Sequence, residues 1–125
     1  MTQTKYFTPA EADKMLPLVK TIVSDILKTG QSIRVLSVKI DKPEKDPEIN
    51  RLMDQLDELF DELEDLGCSY RDWNFIQGLV DFPAIIGGEE VMLCWRSDEP
   101  QVAFYHDAES GYAGRRPIPK ENLEK

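Results

Sequence analysis

Residues 78–116 read GLVDFPAIIGGEEVMLCWRSDEPQVAFYHDAESGYAGRR, and the fold turns on how this stretch pairs with itself. Two β-rich runs flank Gly87-Gly88, a two-residue hairpin signal, because glycine reaches the positive φ that such turns require. Ser97-Asp98-Glu99-Pro100 reads as a second turn. Pairing Ile86 with Glu89 sets Phe82 opposite Leu93 and Asp81 opposite Cys94. Pairing Arg96 with Gln101 sets Leu93 opposite Phe104 and Val91 opposite His106. One face of the expected three-stranded meander then carries Val80, Phe82, Ala84, Val91, Leu93, Trp95, Val102, Phe104 and His106. It is almost wholly apolar and needs a second layer. The opposite face, from Leu79, Asp81 and Pro83 to Met92, Cys94, Arg96 and Tyr105, is half apolar, more than a solvated face requires. Residues 69–77, the C-terminal tail or a second copy of the chain are the candidates to cover it. Pro83 places its strand at a sheet edge.

The second layer is read upstream. Thr8-Pro9-Ala10-Glu11 is a helix start, with Thr8 as cap, Pro9 at the first position and Glu11 as the capping-box partner. Apolar residues recur at three/four spacing from Met15 through Val19, Ile22, Ile26, Ile33 and Leu36, interrupted near Gly30, so the helix runs to about Val38 with a kink or a short first turn at Pro17. Asp46-Pro47 starts a second helix, whose Leu52, Leu56, Leu59, Leu63 and Leu66 form one stripe and which Gly67 stops. A short polar loop between two long helices implies an antiparallel hairpin. The expected fold is α+β: a helical hairpin over residues 8–66 packed on a meander over 78–106, with 107–125 as loop and tail of a single domain.

Length and charge narrow the function. A chain of 125 residues supports one core. The net charge of −9 is concentrated, since residues 41–66 carry eleven Asp/Glu against three Lys/Arg. Such a surface repels phosphate backbones and anionic membranes, so neither nucleic acid nor membrane is an expected partner. No apolar run reaches membrane-spanning length, and the N-terminus lacks the layout of a secretory signal. Cys68 and Cys94 fit no metal spacing or disulfide framework and read as reduced thiols of a cytoplasmic protein.

The residues left over by the core carry any chemistry. His106 is the only histidine. Imidazole titrates near neutrality, so it is a candidate acid/base, with Asp107 and Glu109 close in sequence to orient it. Its structural alternative is a ring at the core rim bonded to a carboxylate or carbonyl. Asp81, flanked by Val80 and Phe82, needs a partner, and Arg96, diagonal across the hairpin, is the nearest expected one, with Arg115 second. Gly111-Tyr112-Ala113-Gly114-Arg115-Arg116 is a glycine-framed loop ending in two cations; Gly111, Tyr112, Gly114, Arg115 and Arg116, with Arg96, are candidate contacts to an anionic ligand. The structural alternative pairs Arg115 or Arg116 with Asp81 or Glu109. No nucleophile motif accompanies His106. No metal-ligand spacing is present, so no metal and no cofactor is expected, and a site would have to be assembled from His106, Asp107, Glu109, Asp81 and Cys94.

Tyr6-Phe7-Thr8-Pro9-Ala10-Glu11-Ala12, Gly78-Leu79-Val80-Asp81-Phe82-Pro83-Ala84, Leu93-Cys94-Trp95, His106 and Gly111-Tyr112-Ala113-Gly114-Arg115 together resemble an uncharacterised prokaryotic family of small cytoplasmic proteins, a domain of unknown function, family 2203. The resemblance implies a complete member of that family and brings no activity, ligand or catalytic residue with it. The leading expectation is a homodimeric, non-enzymatic binding or interaction module with a small anionic ligand or protein partner near the sheet end. The alternatives are a small hydrolase or lyase using His106 with Asp81 or Glu109 and Arg115, and a metal-binding protein.

Overall fold

The computed structural model describes residues 4–123, so residues 124 and 125 of the expected tail lie outside it. Its N-terminal half is helical. Helix α1 spans Pro9–Lys39 and opens on a full capping box, Thr8 Oγ1 accepting from Glu11 N and Glu11 Oε1 from Thr8 N, each at 3.1 Å. Pro17 lies inside α1 as its ninth residue, and the helix continues through it rather than ending there as a short first turn. Helix α2 spans Pro47–Leu66, with the Asp46 carboxylate accepting from Ile49 N at 3.0 Å. Gly67 ends α2 at φ +97°, a left-handed conformation that a side chain would strain. The two helices pack on each other, and Leu16, Val19, Ile22, Val23 and Ile26 of α1 join Leu59 and Leu63 of α2 in the core.

The C-terminal half is a five-stranded antiparallel sheet rather than the expected three strands. In spatial and chain order its strands are β1 (Ser69–Tyr70), β2 (Leu79–Ile86), β3 (Glu89–Arg96), β4 (Phe104–Asp107) and β5 (Arg116–Pro117). The outer two are two residues each, too short to carry a readable alternation. What was expected as loop and tail thus contains β5 and a last helical turn, α3 (Lys120–Leu123). The β2–β3 register is the expected one, Ile86 facing Glu89 and Asp81 facing Cys94. Gly87 and Gly88 close it at φ +61° and +81°, both positive as a type I′ turn demands. Val80, Phe82, Ala84, Val91, Leu93 and Trp95 are buried against the helices.

The β3–β4 register differs by one residue. Cys94 faces Phe104, Leu93 faces Tyr105 and Met92 faces His106. The chain turns at Ser97-Asp98, where Glu99 N donates to Arg96 O at 2.9 Å, but β4 does not begin directly after that turn. The chain runs on through residue 103 as a connection held from several sides. The Trp95 indole donates to Glu99 O at 2.9 Å, the Glu99 carboxylate accepts from Arg96 N at 2.7 Å, and Asp13 of α1 accepts from Val102 N at 2.7 Å. A one-residue slip moves every side chain of a strand to the opposite face. Tyr105 therefore packs toward the core, while Phe104 and His106 lie on the outer face, the reverse of the expectation. Pro83 sits in an interior strand, but β1 pairs only with Val80 and Asp81, so no ladder partner is missing at the proline.

Candidate functional site

The slip in β4 creates the site. Asp81 of β2 and Cys94 of β3 are direct cross-strand partners on the outer face, and His106 of β4, facing Met92, is diagonal to Cys94 on that same face. All three side chains are buried, and one ligand-type atom of each lies within 4.8 Å of the others. They form the floor of a cavity of about 260 Å³ whose wall includes Met92, Arg71 and Tyr112.

Each floor residue is held by a second contact. His106 Nε2 lies 3.1 Å from Asp81 Oδ1, and Nδ1 lies 2.8 Å from the backbone oxygen of Asp107. Both ring nitrogens thus face oxygens, although a neutral imidazole has a single N–H to donate. The other Asp81 oxygen is 3.4 Å from Arg71 Nε, whose side chain is half exposed. Burial, with the Asp81 charge adding to it, pushes the Cys94 thiol up to about 11. Such a thiol is a poor nucleophile at neutral pH.

Arg71, not Arg96 or Arg115, is therefore the guanidinium beside Asp81. Arg96 binds the Asp98 carboxylate and donates to the Tyr112 hydroxyl at 2.7 Å. Arg115 is mostly buried, donating from Nη2 to Glu99 Oε1 at 2.7 Å and to Cys94 O at 3.0 Å, with its guanidinium 4.1 Å from the Phe104 ring centre. Burial opposes its charge, and Glu99, with Cys94 and Tyr112 nearby, more than offsets it. Both arginines brace the wall of the site and neither opens into it. Arg116 is exposed over Tyr105, its nearest carboxylate Asp107 at 3.9 Å. Glu109 is exposed and does not orient His106; its backbone N–H donates to the Asp107 carboxylate, as does that of Ser110. Those bonds hold the Asp107 carboxyl below its ordinary range, the Ser110 backbone donor first. Gly111, at φ +61°, starts a short 3₁₀ turn through Gly114 that swings Tyr112 to the cavity wall.

Arg71 escaped the sequence reading because it follows a two-residue strand with no periodic signal. Cys94 was placed opposite Asp81 from the register alone, but the expected β4 pairing put His106 on the other face and kept the three apart.

The chain matches the family described as "Uncharacterized conserved protein (DUF2203)" over residues 5–118. No curated protein and no solved structure matches it. The matched span takes in both long helices, the whole sheet and every side chain of the cavity. The chain accordingly belongs to the DUF2203 family of uncharacterized conserved proteins.

Proposed function

We propose that this protein is a binding module whose cavity over Asp81, Cys94 and His106 receives the anionic end of a small molecule. The observation that carries this reading is the wall of the cavity. Arg71 meets Asp81 through Nε at 3.4 Å and is half exposed where it lines the cavity, so its guanidinium fork is available to a ligand. Tyr112 accepts from Arg96 and so keeps its own hydroxyl proton to donate. A polar floor beneath Met92 and Leu79 matches the usual make-up of a ligand site, a few placed polar groups among apolar ones. The test is thermal shift and calorimetry on metal-free protein with inorganic phosphate, acetate and succinate. Saturation at about 100 times Kd stabilises the fold by about 2.7 kcal/mol. The expected result is stabilisation of the wild type that Arg71→Ala abolishes and Tyr112→Phe weakens; no binding, or binding indifferent to Arg71→Ala, overturns the reading.

A second reading, a small hydrolase or lyase, is favoured by the 3.1 Å contact between His106 and Asp81, which gives an acid/base its orienting carboxylate. In that case Arg71 takes the substrate-binding part first given to Arg115, and turnover that survives His106→Gln excludes it. The binding reading keeps the homodimer, supported by Trp73 and Ile76, which are 61% and 70% exposed in one loop. It also keeps the cytoplasmic setting, supported by two free, buried cysteines.

A further inference from the structure

The three floor residues offer one oxygen, one sulfur and one nitrogen from three neighbouring strands. We propose that Asp81, Cys94 and His106 are the protein ligands of a zinc-class divalent metal ion, whose fourth coordination position opens into the cavity. This site is independent of which small molecule the cavity accepts.

Four observations carry it. The first is spacing. Tetrahedral bonds of about 2.0–2.3 Å place ligand atoms about 3.3–3.8 Å apart. His106 Nε2 and Asp81 Oδ1 are at 3.1 Å, and Cys94 Sγ lies within 4.8 Å of both, so rotamer adjustments of a fraction of an ångström to about one ångström close the set.

The second is the outer contacts. A metal-bound histidine characteristically donates its free ring N–H to a carbonyl or carboxylate, and a ligating carboxylate is itself hydrogen-bonded. His106 Nδ1 already faces Asp107 O at 2.8 Å, and the spare Asp81 oxygen already faces Arg71.

The third is the pair of oxygens around His106. A metal at Nε2 leaves the ring its single N–H on Nδ1, which Asp107 O is placed to accept, and puts Asp81 beside the same ion.

The fourth is charge. A carboxylate, a thiolate and a neutral imidazole together carry two negative charges, which one divalent cation cancels in a buried place. The mix of thiolate, imidazole and carboxylate suits Zn²⁺ rather than Mg²⁺ or Ca²⁺, which take all-oxygen shells.

Loading is a substitution of the ion for protons. The Cys94 S–H bond breaks, its proton leaves to solvent, and sulfur donates a lone pair to the metal; no redox change occurs. Because loading releases a proton, affinity rises with pH.

The test is titration of chelator-treated full-length protein with Co²⁺, read by absorption, and then with Zn²⁺ in competition. One equivalent of Co²⁺ produces a thiolate-to-cobalt charge-transfer band with the visible bands of a tetrahedral site, and Zn²⁺ abolishes both. Cys94→Ser removes the charge-transfer band, Cys68→Ser leaves it, and Arg71→Ala weakens Zn²⁺ affinity about tenfold through the carboxylate it holds. Absence of the band in the wild type overturns the proposal whether or not any variant folds. So does a band lost in Cys68→Ser and kept in Cys94→Ser. The anion panel is repeated on zinc-loaded protein. Metal uptake without anion binding defeats only the anionic-ligand reading, and anion binding without metal uptake defeats only the metal.

Discussion

Asp81 divides its carboxylate between two partners, one oxygen to His106 and the other to Arg71, in a place water barely reaches. Removing one partner of a buried pair costs more than the pair contributes, because the remaining group keeps its desolvation without its contact. Asp81→Ala in metal-free protein is therefore expected to lose about 3 kcal/mol of stability in urea. His106→Gln on that background should cost much less than on the wild type, a coupling of about 1–3 kcal/mol; additive losses would show the pair is not coupled. The two thiols set a pH dependence. Burial pushes Cys68 up to about 12 and Cys94 up to about 11, from an ordinary 9.0 that the unfolded chain retains. Above that ordinary value the unfolded chain releases protons that the folded chain keeps, so stability is full below pH 9.0 and falls as pH rises toward 11. Urea midpoints on either side of pH 9.0 check this, with a shallower fall expected in Cys94→Ala.

At the scale of elements, the break in the α1 stripe at Gly30 has a partner. The Phe75 ring of the loop over residues 71–78 lies where a β-carbon on Gly30 would be, and Gln31 holds that loop by donating to Phe75 O at 3.1 Å. The Asp72 carboxylate gathers the Asn74, Ile76 and Gln77 amides of the same loop. Gly30→Ala has a better helix former but no room, so overpacking of about 1–3 kcal/mol is expected to outweigh the gain of under about 1 kcal/mol in propensity. A stabilised Gly30→Ala in thermal melts would mean the loop shifts freely. Thr8→Ala, which removes one half of the capping box, should cost about 1 kcal/mol. The loop also carries Arg71 at its start, so what docks Phe75 on α1 also sets the cavity wall.

For the whole molecule, the four most exposed large apolar side chains among the described residues are Val35 and Val38 late in α1 and Trp73 with Ile76 in the loop over residues 71–78. If these meet a second copy, light scattering at high micromolar concentration gives a dimer mass, and Trp73→Ala with Ile76→Ser shifts it toward the monomer. A monomer in the wild type removes that part of the proposal. Among the described residues, no helix is long and apolar enough to cross a membrane.

What the sequence determined by itself is whatever local chemistry dictates. Thr8 with Glu11 and Asp46 with Pro47 started the helices, Gly67 ended one, and the glycine pair set the β2–β3 register, because caps and tight turns are decided within a few residues. The core faces of β2 and β3 followed from alternation. The tertiary structure alone decided the rest. Asp13 and Trp95 hold the connection into β4, and that hold moved His106 by one register position onto the face of Asp81 and Cys94. Two-residue strands with no period of their own form only against a sheet already there, and β1 leads the chain straight to Arg71. The site is built from cross-strand neighbours far apart in the chain, so no spacing along the sequence could display it.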